Sequence, residues 1–230
     1  MIETDAPFLG LPEPPAAGYR RSMDRLSALR AALAAHEPRE IPALPGRTNH
    51  LGAGVLVPIV WGERPTVLAI LRPDAMRLHP GEVAFPGGRR DPEDTDLRET
   101  ALREANEELG IEGAEVLGRL SAAPLYTSDY RLVPEVALVP DQLRPNPAEV
   151  AEVLRYDLLA ILDVPAIPAI PWTWEGRPHL SPVFPLGEHL MFGGTAYVFA
   201  ELLEVVAPAL GRTVPPRRAS DRYRWEDLLR

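Results

Sequence analysis

Cysteine is absent from the 230-residue chain, and its absence excludes disulfide bonds, zinc–thiolate sites and a thiol nucleophile. Lysine is absent too, so all 24 basic side chains other than histidine are arginines. Any phosphate group would therefore be bound by planar guanidinium groups and not by ammonium groups. The net charge of −9 argues against a broad nucleic-acid-binding face, and we expect no nucleic-acid partner.

Long apolar runs and targeting signals are also missing. No apolar stretch approaches the roughly 20 residues that a membrane-spanning helix needs, and the N-terminal sequence lacks the basic and apolar blocks of a signal peptide. We therefore expect a cytoplasmic protein without a membrane partner. The apolar fraction of 46% is sufficient for one large domain with its own core.

Three parts are predicted along the chain: an N-terminal arm and helix at residues 1–49, a main domain at residues 50–210 and an Arg/Pro-rich tail at residues 211–230. Proline, alanine and glycine dominate the start of the chain, which indicates an extended arm. Ser22 is predicted to cap the amphipathic helix that follows this arm.

The main domain combines strands and helices. Two β-branched runs, at residues 52–61 and 66–72, predict a pair of neighbouring strands. Residues 97–109 and 194–206 predict two long helices. The elements alternate loosely, so the pattern indicates an α/β fold without the regular βαβ rhythm of a doubly wound sheet.

The helix at residues 97–109 has signals at both of its ends. Asp96 and Glu99 predict a capping box at its start, in which each residue would satisfy a free backbone N–H group of the other. Gly110 stands where a helix ends in the left-handed conformation.

The same helix carries an acidic face. Glu104, Glu107 and Glu108 fall within an arc of roughly 100° when the chain is helical. Three carboxylates so close repel one another, and either solvent or a cation must offset the repulsion. Mg²⁺ and Mn²⁺ prefer carboxylate oxygens and water, while Gly87 and Gly88 permit close approach of the backbone. These residues alone leave a solvated acidic face and a metal site both open.

Residues 103–111, REANEELGI, resemble the second half of the Nudix box. The first half departs from the general box, because the interval from Gly88 to Arg103 is one residue longer and Asp94 stands where a glutamate is usual. It resembles instead the variant of the coenzyme A pyrophosphatase subfamily, in which FPGG is followed by two spaced aspartates, here Asp91 and Asp94.

Residues 68–83, LAILRPDAMRLHPGEV, resemble a second motif of that subfamily. The matching positions are Arg72, Arg77, His79, Gly81 and Val83, and the departures are Ile70, Pro73 and Met76. Downstream, NPAEV at residues 146–150 resembles the family's Asn-x-x-Glu-Val stretch.

The resemblance implies a Nudix-type α/β/α sandwich around a mixed β-sheet, with the N-terminal helix as an extension. It implies a metal-dependent pyrophosphohydrolase that uses Mg²⁺ or Mn²⁺ and acts on a small nucleoside diphosphate. Within the subfamily, it implies hydrolysis of coenzyme A or acyl-coenzyme A to 3′,5′-ADP and 4′-phosphopantetheine or its acyl form. Family members often dimerise, which leaves a homodimer open.

The resemblance also implies roles for individual residues. Metal binding falls to the box helix and the turn before it, with the ligands Glu104, Glu107, Glu108 and the Gly88 carbonyl. Catalysis involves Arg103, which fixes the direction of a carboxylate, and a general base that is either Glu104 or Glu149. Substrate binding falls to the upstream motif and the glycine pair, with the residues Arg72, Arg77, His79, Gly87 and Gly88.

Two alternatives remain open at this point. A Nudix hydrolase of different specificity would act on ADP-ribose, a dinucleotide or a damaged nucleotide, and the box alone does not exclude it. A Nudix-fold ligand-binding module without catalysis usually lacks the box carboxylates, whereas this chain keeps all three on the helix. Hydrolysis of coenzyme A in the presence of metal distinguishes the three.

Overall fold

The computed structural model of the chain describes residues 17–76, 78–174 and 176–228. Most of the predicted N-terminal arm and Arg77 lie outside the described residues. The helices described are α1 (Ala17–Ala35), α2 (Leu97–Leu109), α3 (Leu158–Leu162), α4 (Gly193–Val206) and α5 (Trp225–Leu228). The strands described are β1 (Leu51–Val60), β2 (Thr66–Leu71), β3 (Val83–Ala84), β4 (Gly87–Arg89), β5 (Glu115–Arg119), β6 (Ala123–Pro124), β7 (Tyr130–Leu138), β8 (Glu152–Asp157), β9 (Ile167–Trp174), β10 (Arg177–Pro182), β11 (Phe184–Leu186), β12 (His189–Met191) and β13 (Arg217–Ala219).

The central sheet is mixed and is organised around β1. This strand pairs in parallel with β7 and antiparallel with β2 and β4, so the predicted pairing of the two β-branched runs is confirmed. β3 and β8 extend the sheet on β2, while β5 and β6 pair with β7. β4 carries the glycine pair, and its pairing with β1 places this pair in the middle of the sheet.

Helices cover both faces of this sheet. Because side chains alternate along a strand, Val57 and Ile59 join a core that includes residues of α1 and α4. Leu56 points the other way and packs with Ala101 and Leu109 of α2. The predicted α/β sandwich with an N-terminal helix is confirmed, and no helix among the described residues is long and apolar enough to cross a membrane.

α2 has the predicted bounds, but its first turn differs in detail. The Asp96 side chain accepts hydrogen bonds from the backbone N–H groups of Arg98 and Glu99, as the predicted cap requires. Glu99 does not complete the box, because its carboxylate accepts from the N–H and hydroxyl groups of Thr95 instead. Gly110 ends the helix at φ 64°, and its N–H group reaches the last free carbonyls.

Three further expectations differ from the structure. α1 already includes Ala17, so Ser22 lies within the helix and does not cap it. A second sheet, in the order β10-β9-β13, was not predicted. Part of it comes from the segment predicted as a tail, since residues 217–219 pair in parallel with β9.

Gly54 sets the distance between α2 and β1. A β-carbon at this position would lie 2.2 Å from the carbonyl oxygen of Leu97 and 3.0 Å from the backbone nitrogen of Ala101. Because backbone atoms of a packed helix cannot yield, we expect Gly54→Ala to lower the free energy of unfolding by about 1–3 kcal/mol in urea titrations. Gly62→Ala is the matched control, since a β-carbon there meets nothing within 4 Å. Equal midpoints for the two variants would contradict this account.

Candidate active site

The glycine pair of β4 lies against two carboxylates of α2. The Gly87 N–H group donates to Oε2 of Glu108 at 3.0 Å. A β-carbon at Gly88 would lie 2.4 Å from Oε1 of Glu104, so only glycine leaves room for that carboxylate. A β-carbon at Gly87 would meet the backbone of Gly54 and Val55 at 2.4 and 2.6 Å. As the sequence predicts, the absence of side chains in this pair permits close approach, here of β1 and of the Glu104 carboxylate.

Arg103 holds the acidic loop and the helix together. Its Nε and Nη2 atoms each donate to one oxygen of the Asp94 carboxylate, at 3.1 Å in both cases. Its Nη1 donates to Oε2 of Glu107 at 2.9 Å, and its Nη2 lies 3.1 Å from Oε1 of Glu104. One guanidinium group therefore directs three carboxylates, which extends the role predicted for this residue.

Asp94 is buried and fully bonded. The hydrogen bonds from Arg103 are the largest cause that holds its pKa well below the usual range, and bonds from the Asp91 N–H and the Thr100 hydroxyl act in the same direction. The Arg103 pKa is raised in turn. Asp94 thus orders the acidic loop, whereas capping of α2 belongs to Asp96.

Glu108 is a buried carboxylate, since the residue is only 3% exposed. Among the described residues, no cationic side chain forms an ion pair with it. Burial raises its pKa to about 8, and the negative charges of Glu104 and Glu149 act in the same direction. The Gly87 N–H group and the charge of Arg72 oppose the shift. A buried carboxylate without an ion-pair partner is stabilised by a positive charge placed near it.

Glu149 approaches this site from a separate loop. Its charge raises the pKa values of both Glu104 and Glu108, although burial is the larger cause in each. The loop is attached to the end of α2, because Asn146 N donates to Glu108 O at 2.8 Å and Arg144 N donates to Leu109 O at 2.7 Å. The structure thus brings the two candidate bases near one another.

The oxygen donors suit a hard divalent cation, although they are not arranged as a complete cage. Among residues 17–76, 78–174 and 176–228, no three acidic or histidine side chains stand close enough to hold a metal ion unaided. Glu107 is half exposed and bonded to Arg103, while Glu104 and Glu108 lie against the glycine pair. Mg²⁺ and Mn²⁺ keep several waters and need few carboxylates, so the residues present fit such an ion.

The upstream motif places Arg72 and His79 on the wall of a cleft that the glycine pair also lines. The buried Nε of Arg72 has no hydrogen-bond partner within the part of the chain described, and its Nη2 reaches Leu78 O at 3.3 Å. His79 adopts φ 55°, and its Nδ1 lies 3.0 Å from Oε2 of Glu82, which raises the pKa of the imidazole. This bond ties the two ends of a tight turn, in the way expected of a loop-shaping residue.

A large cleft adjoins the glycine pair. Its volume is about 1840 Å³, and its lining includes Arg72, Gly87, Gly88 and Arg89. This exceeds the roughly 300–1,000 Å³ of pockets for drug-sized ligands. Arg89 was missed in the sequence, although it directly follows the glycine pair, and it lines the cleft. Its guanidinium group lies 5.0 Å from the Tyr130 ring centre, and no carboxylate pairs with it among the described residues.

Known proteins of one family resemble this chain. A model of the NUDIX domain matches residues 50–179. An "Uncharacterized Nudix hydrolase NudL" from Photorhabdus laumondii is 37% identical over 174 residues, which cover 73% of this chain and 92% of that protein. A protein of the same description from Yersinia enterocolitica is 47% identical over 119 residues, or 50% of this chain and 60% of that protein. The chain belongs to the Nudix family, and it is an enzyme of the pyrophosphohydrolase class.

Solved structures resemble the chain more distantly. The NUDIX domain of Shewanella oneidensis NrtR, solved in complex with ADP ribose, is 22% identical and covers 59% of this chain and 86% of its own, with a TM-score of 0.40. The MutT protein from Methanosarcina mazei Go1 is 20% identical and covers 50% of this chain and 81% of its own, with a TM-score of 0.38. Likeness of this degree carries no argument about substrate.

Proposed function

We propose that the chain is a divalent-metal-dependent hydrolase that cleaves the diphosphate of coenzyme A or acyl-coenzyme A to 3′,5′-ADP and 4′-phosphopantetheine or its acyl form. The observation that carries the proposal is the meeting of Glu104, Glu108 and the glycine pair at the edge of a large cleft that Arg72 and Arg89 line. Anionic oxygens of a diphosphate placed there would face two guanidinium groups, while the carboxylates lie just behind the glycines. The coenzyme A assignment itself rests on the motif at residues 68–83.

The reaction consumes one water molecule for each diphosphate. The water oxygen forms a new bond to one phosphorus atom, the bridging P–O bond breaks, and the bridging oxygen leaves with the other phosphate. A proton of the attacking water passes to a general base of the protein. A bound Mg²⁺ or Mn²⁺ would neutralise phosphate charge and lower the pKa of water. Glu104, Glu108 and the Gly88 carbonyl would hold it, with Glu107 beside them.

We assign the general base to Glu149 and a ligand role to Glu104. The Glu104 carboxylate is already engaged by Nη2 of Arg103 and packed against Gly88. For Glu149, in contrast, the described part of the chain supplies no hydrogen bond or ion pair to the side chain, which leaves its carboxylate available to accept a proton. The loop that carries it is bonded to Glu108 O through Asn146 N, and its charge acts on Glu104 and Glu108, which supports a position close to the proposed attack.

Arg72 and Arg89 supply the cationic side of the site. Arg72, whose buried Nε has no partner among the described residues, and Arg89, which has no carboxylate partner there, both line the cleft, and the planar donor geometry of a guanidinium group suits a phosphate oxygen. Arg77, predicted for the same purpose, lies outside the described residues. His79 holds the turn between these groups through Glu82.

Product analysis by chromatography tests the proposed function. The protein would be incubated with coenzyme A, ADP-ribose and NADH, with and without Mg²⁺ or Mn²⁺. We expect metal-dependent release of 3′,5′-ADP from coenzyme A, and we expect Arg89→Ala to raise the KM at least about tenfold because a charge-assisted bond is lost. Arg64→Ala is the control, since Arg64 pairs with Asp157 away from the cleft. Release of AMP from ADP-ribose or NADH, with coenzyme A untouched, would leave a Nudix hydrolase of another specificity.

A further inference from the structure

One wall of the cleft is apolar. It is formed by two segments that precede β1 and β7, and its side chains belong to Ile41, Pro42, Leu44, Pro45, Leu125 and Tyr126. We call this surface the apolar wall. Tyr126 is 64% exposed, which makes it one of the large apolar side chains most open to solvent among those described. Exposed apolar surface at a binding cleft marks a region that gains from contact with a ligand.

The apolar wall is held in place by a buried hub. The Asn49 side chain is fully buried; its Nδ2 donates to the carbonyl oxygens of Leu125 and Tyr130 at 3.0 and 2.9 Å. Its Oδ1 accepts from Leu44 N at 2.9 Å. The backbones of the two segments are therefore fixed to one another, which keeps the apolar wall in position at the edge of the cleft.

Several backbone polar groups of the apolar wall are bonded within the protein. Arg47 Nε donates to Tyr126 O at 2.8 Å, and Arg131 Nη1 donates to Ile41 O at 3.2 Å. The bonds of Asn49 engage Leu44 N and Leu125 O as well. These four backbone groups are not available to the edges of a nucleotide base, whereas a hydrocarbon chain needs no hydrogen-bonding partner.

The register of the sheet sets the distance from the chemistry. Gly87 lies opposite Val55 of β1, Arg89 lies opposite Ala53, and Tyr130 lies opposite Leu51. The four residue-to-residue steps from Val55 to Leu51 span about 13 Å along the strand. The carboxylates, the glycine pair, Arg89 and the apolar wall thus follow one another along β1.

We propose that the apolar wall binds the acyl chain of the substrate, so that the preferred substrate is a medium-chain or longer acyl-coenzyme A and not free coenzyme A. This inference rests on the proposed function and adds the chemistry of the distal end of the substrate. The diphosphate occupies the glycine pair and Arg89, the flexible arm extends along β1, and the thioester carries its hydrocarbon to the apolar wall. The large volume of the cleft is then explained by the length of this substrate.

The test is a chain-length series. kcat/KM would be measured with Mg²⁺ for coenzyme A, acetyl-coenzyme A and octanoyl-coenzyme A, with 3′,5′-ADP as the common product. We expect octanoyl-coenzyme A to exceed acetyl-coenzyme A at least about tenfold, which is less than complete burial of six methylene groups would give. Tyr126→Asp is expected to bring the ratio close to one, and Tyr126→Leu to preserve it.

Controls separate the possible failures. Met23→Asp introduces the same charge at a residue of α1 that is 41% exposed and outside the cleft, and it should leave the ratio unchanged. Pro42→Asp replaces Tyr126→Asp if the latter does not fold. Equal kcat/KM values for all three substrates, with 3′,5′-ADP formed, would overturn the acyl assignment alone. An unchanged ratio in whichever of these Asp variants folds would overturn the location of the acyl site. Hydrolysis of ADP-ribose without any 3′,5′-ADP would overturn the proposed function and this inference with it.

Discussion

Glu108→Gln is expected to lower kcat about a thousandfold and to leave the fold intact. The glutamine amide oxygen can still accept the Gly87 N–H bond that Glu108 makes at 3.0 Å. The variant loses the negative charge that is proposed to hold the metal. A bound metal lowers the activation free energy by several kcal/mol, which corresponds to about a thousandfold in kcat because about 1.4 kcal/mol is tenfold in rate. Steady-state kinetics and Mn²⁺ titration calorimetry measure the two effects together.

Glu149→Gln separates the base from the metal site in the same experiment. It should lower kcat while Mn²⁺ affinity stays close to that of the unaltered protein, whereas Glu108→Gln should lose both. Glu112→Gln serves as the control, because Glu112 is 71% exposed and pairs with Arg144 beyond the end of α2. Full Mn²⁺ affinity in Glu108→Gln would refute the ligand role, and full activity in Glu149→Gln would return the base to Glu104.

Glu135→Gln is expected to have the largest effect on stability outside the site. The Glu135 side chain is fully buried on β7, and it receives Nε of Arg98 from α2 at 3.2 Å and Nε of Arg119 from β5 at 2.6 Å. Loss of its charge leaves two guanidinium groups facing an uncharged buried amide. Because both arginines are about half exposed, we expect a loss of about 2–3 kcal/mol, below the 3–5 kcal/mol of a completely buried pair.

Urea unfolding measures this loss, with Asp141→Asn as the matched control. Asp141 also pairs with an arginine of the sheet, Arg155, but the two side chains are 60% and 45% exposed. Exposed pairs contribute little because water screens them, so this variant should keep its midpoint. Equal midpoints for the two variants would mean that burial does not set the strength of the Glu135 pairs.

The sequence was most informative where local rules decide the outcome. The bounds of α2 follow from apolar periodicity, an Asp at the cap and a Gly at the end, all within fifteen residues. β9 escaped prediction because Pro168 and Pro171 interrupt it, and proline is unusual inside a sheet. The structure accommodates Pro171 because β13 pairs only with residues 167–169, which leaves the remainder of β9 with a neighbour on one side.

The sequence named members of the candidate site but not the contacts between them. The resemblance to the Nudix box named Arg103 and the acids, yet the bond from Arg103 to Asp94 joins residues of different elements and depends on the packed fold. Arg89 was missed because a single arginine in a short strand carries no periodic signal. Its exposure to the cleft follows only from the register of β4 on β1.

The attachment of the loop at residues 144–150 to α2 has a consequence for motion. Asn146 and Arg144 donate to the carbonyl oxygens of Glu108 and Leu109, so the loop is joined to the backbone that carries the acids. Because of these bonds, we expect a displacement of α2 to move the loop that carries Glu149 in the same direction. We therefore expect the spacing between Glu149 and the carboxylates of α2 to change less than the width of the cleft when the domain moves.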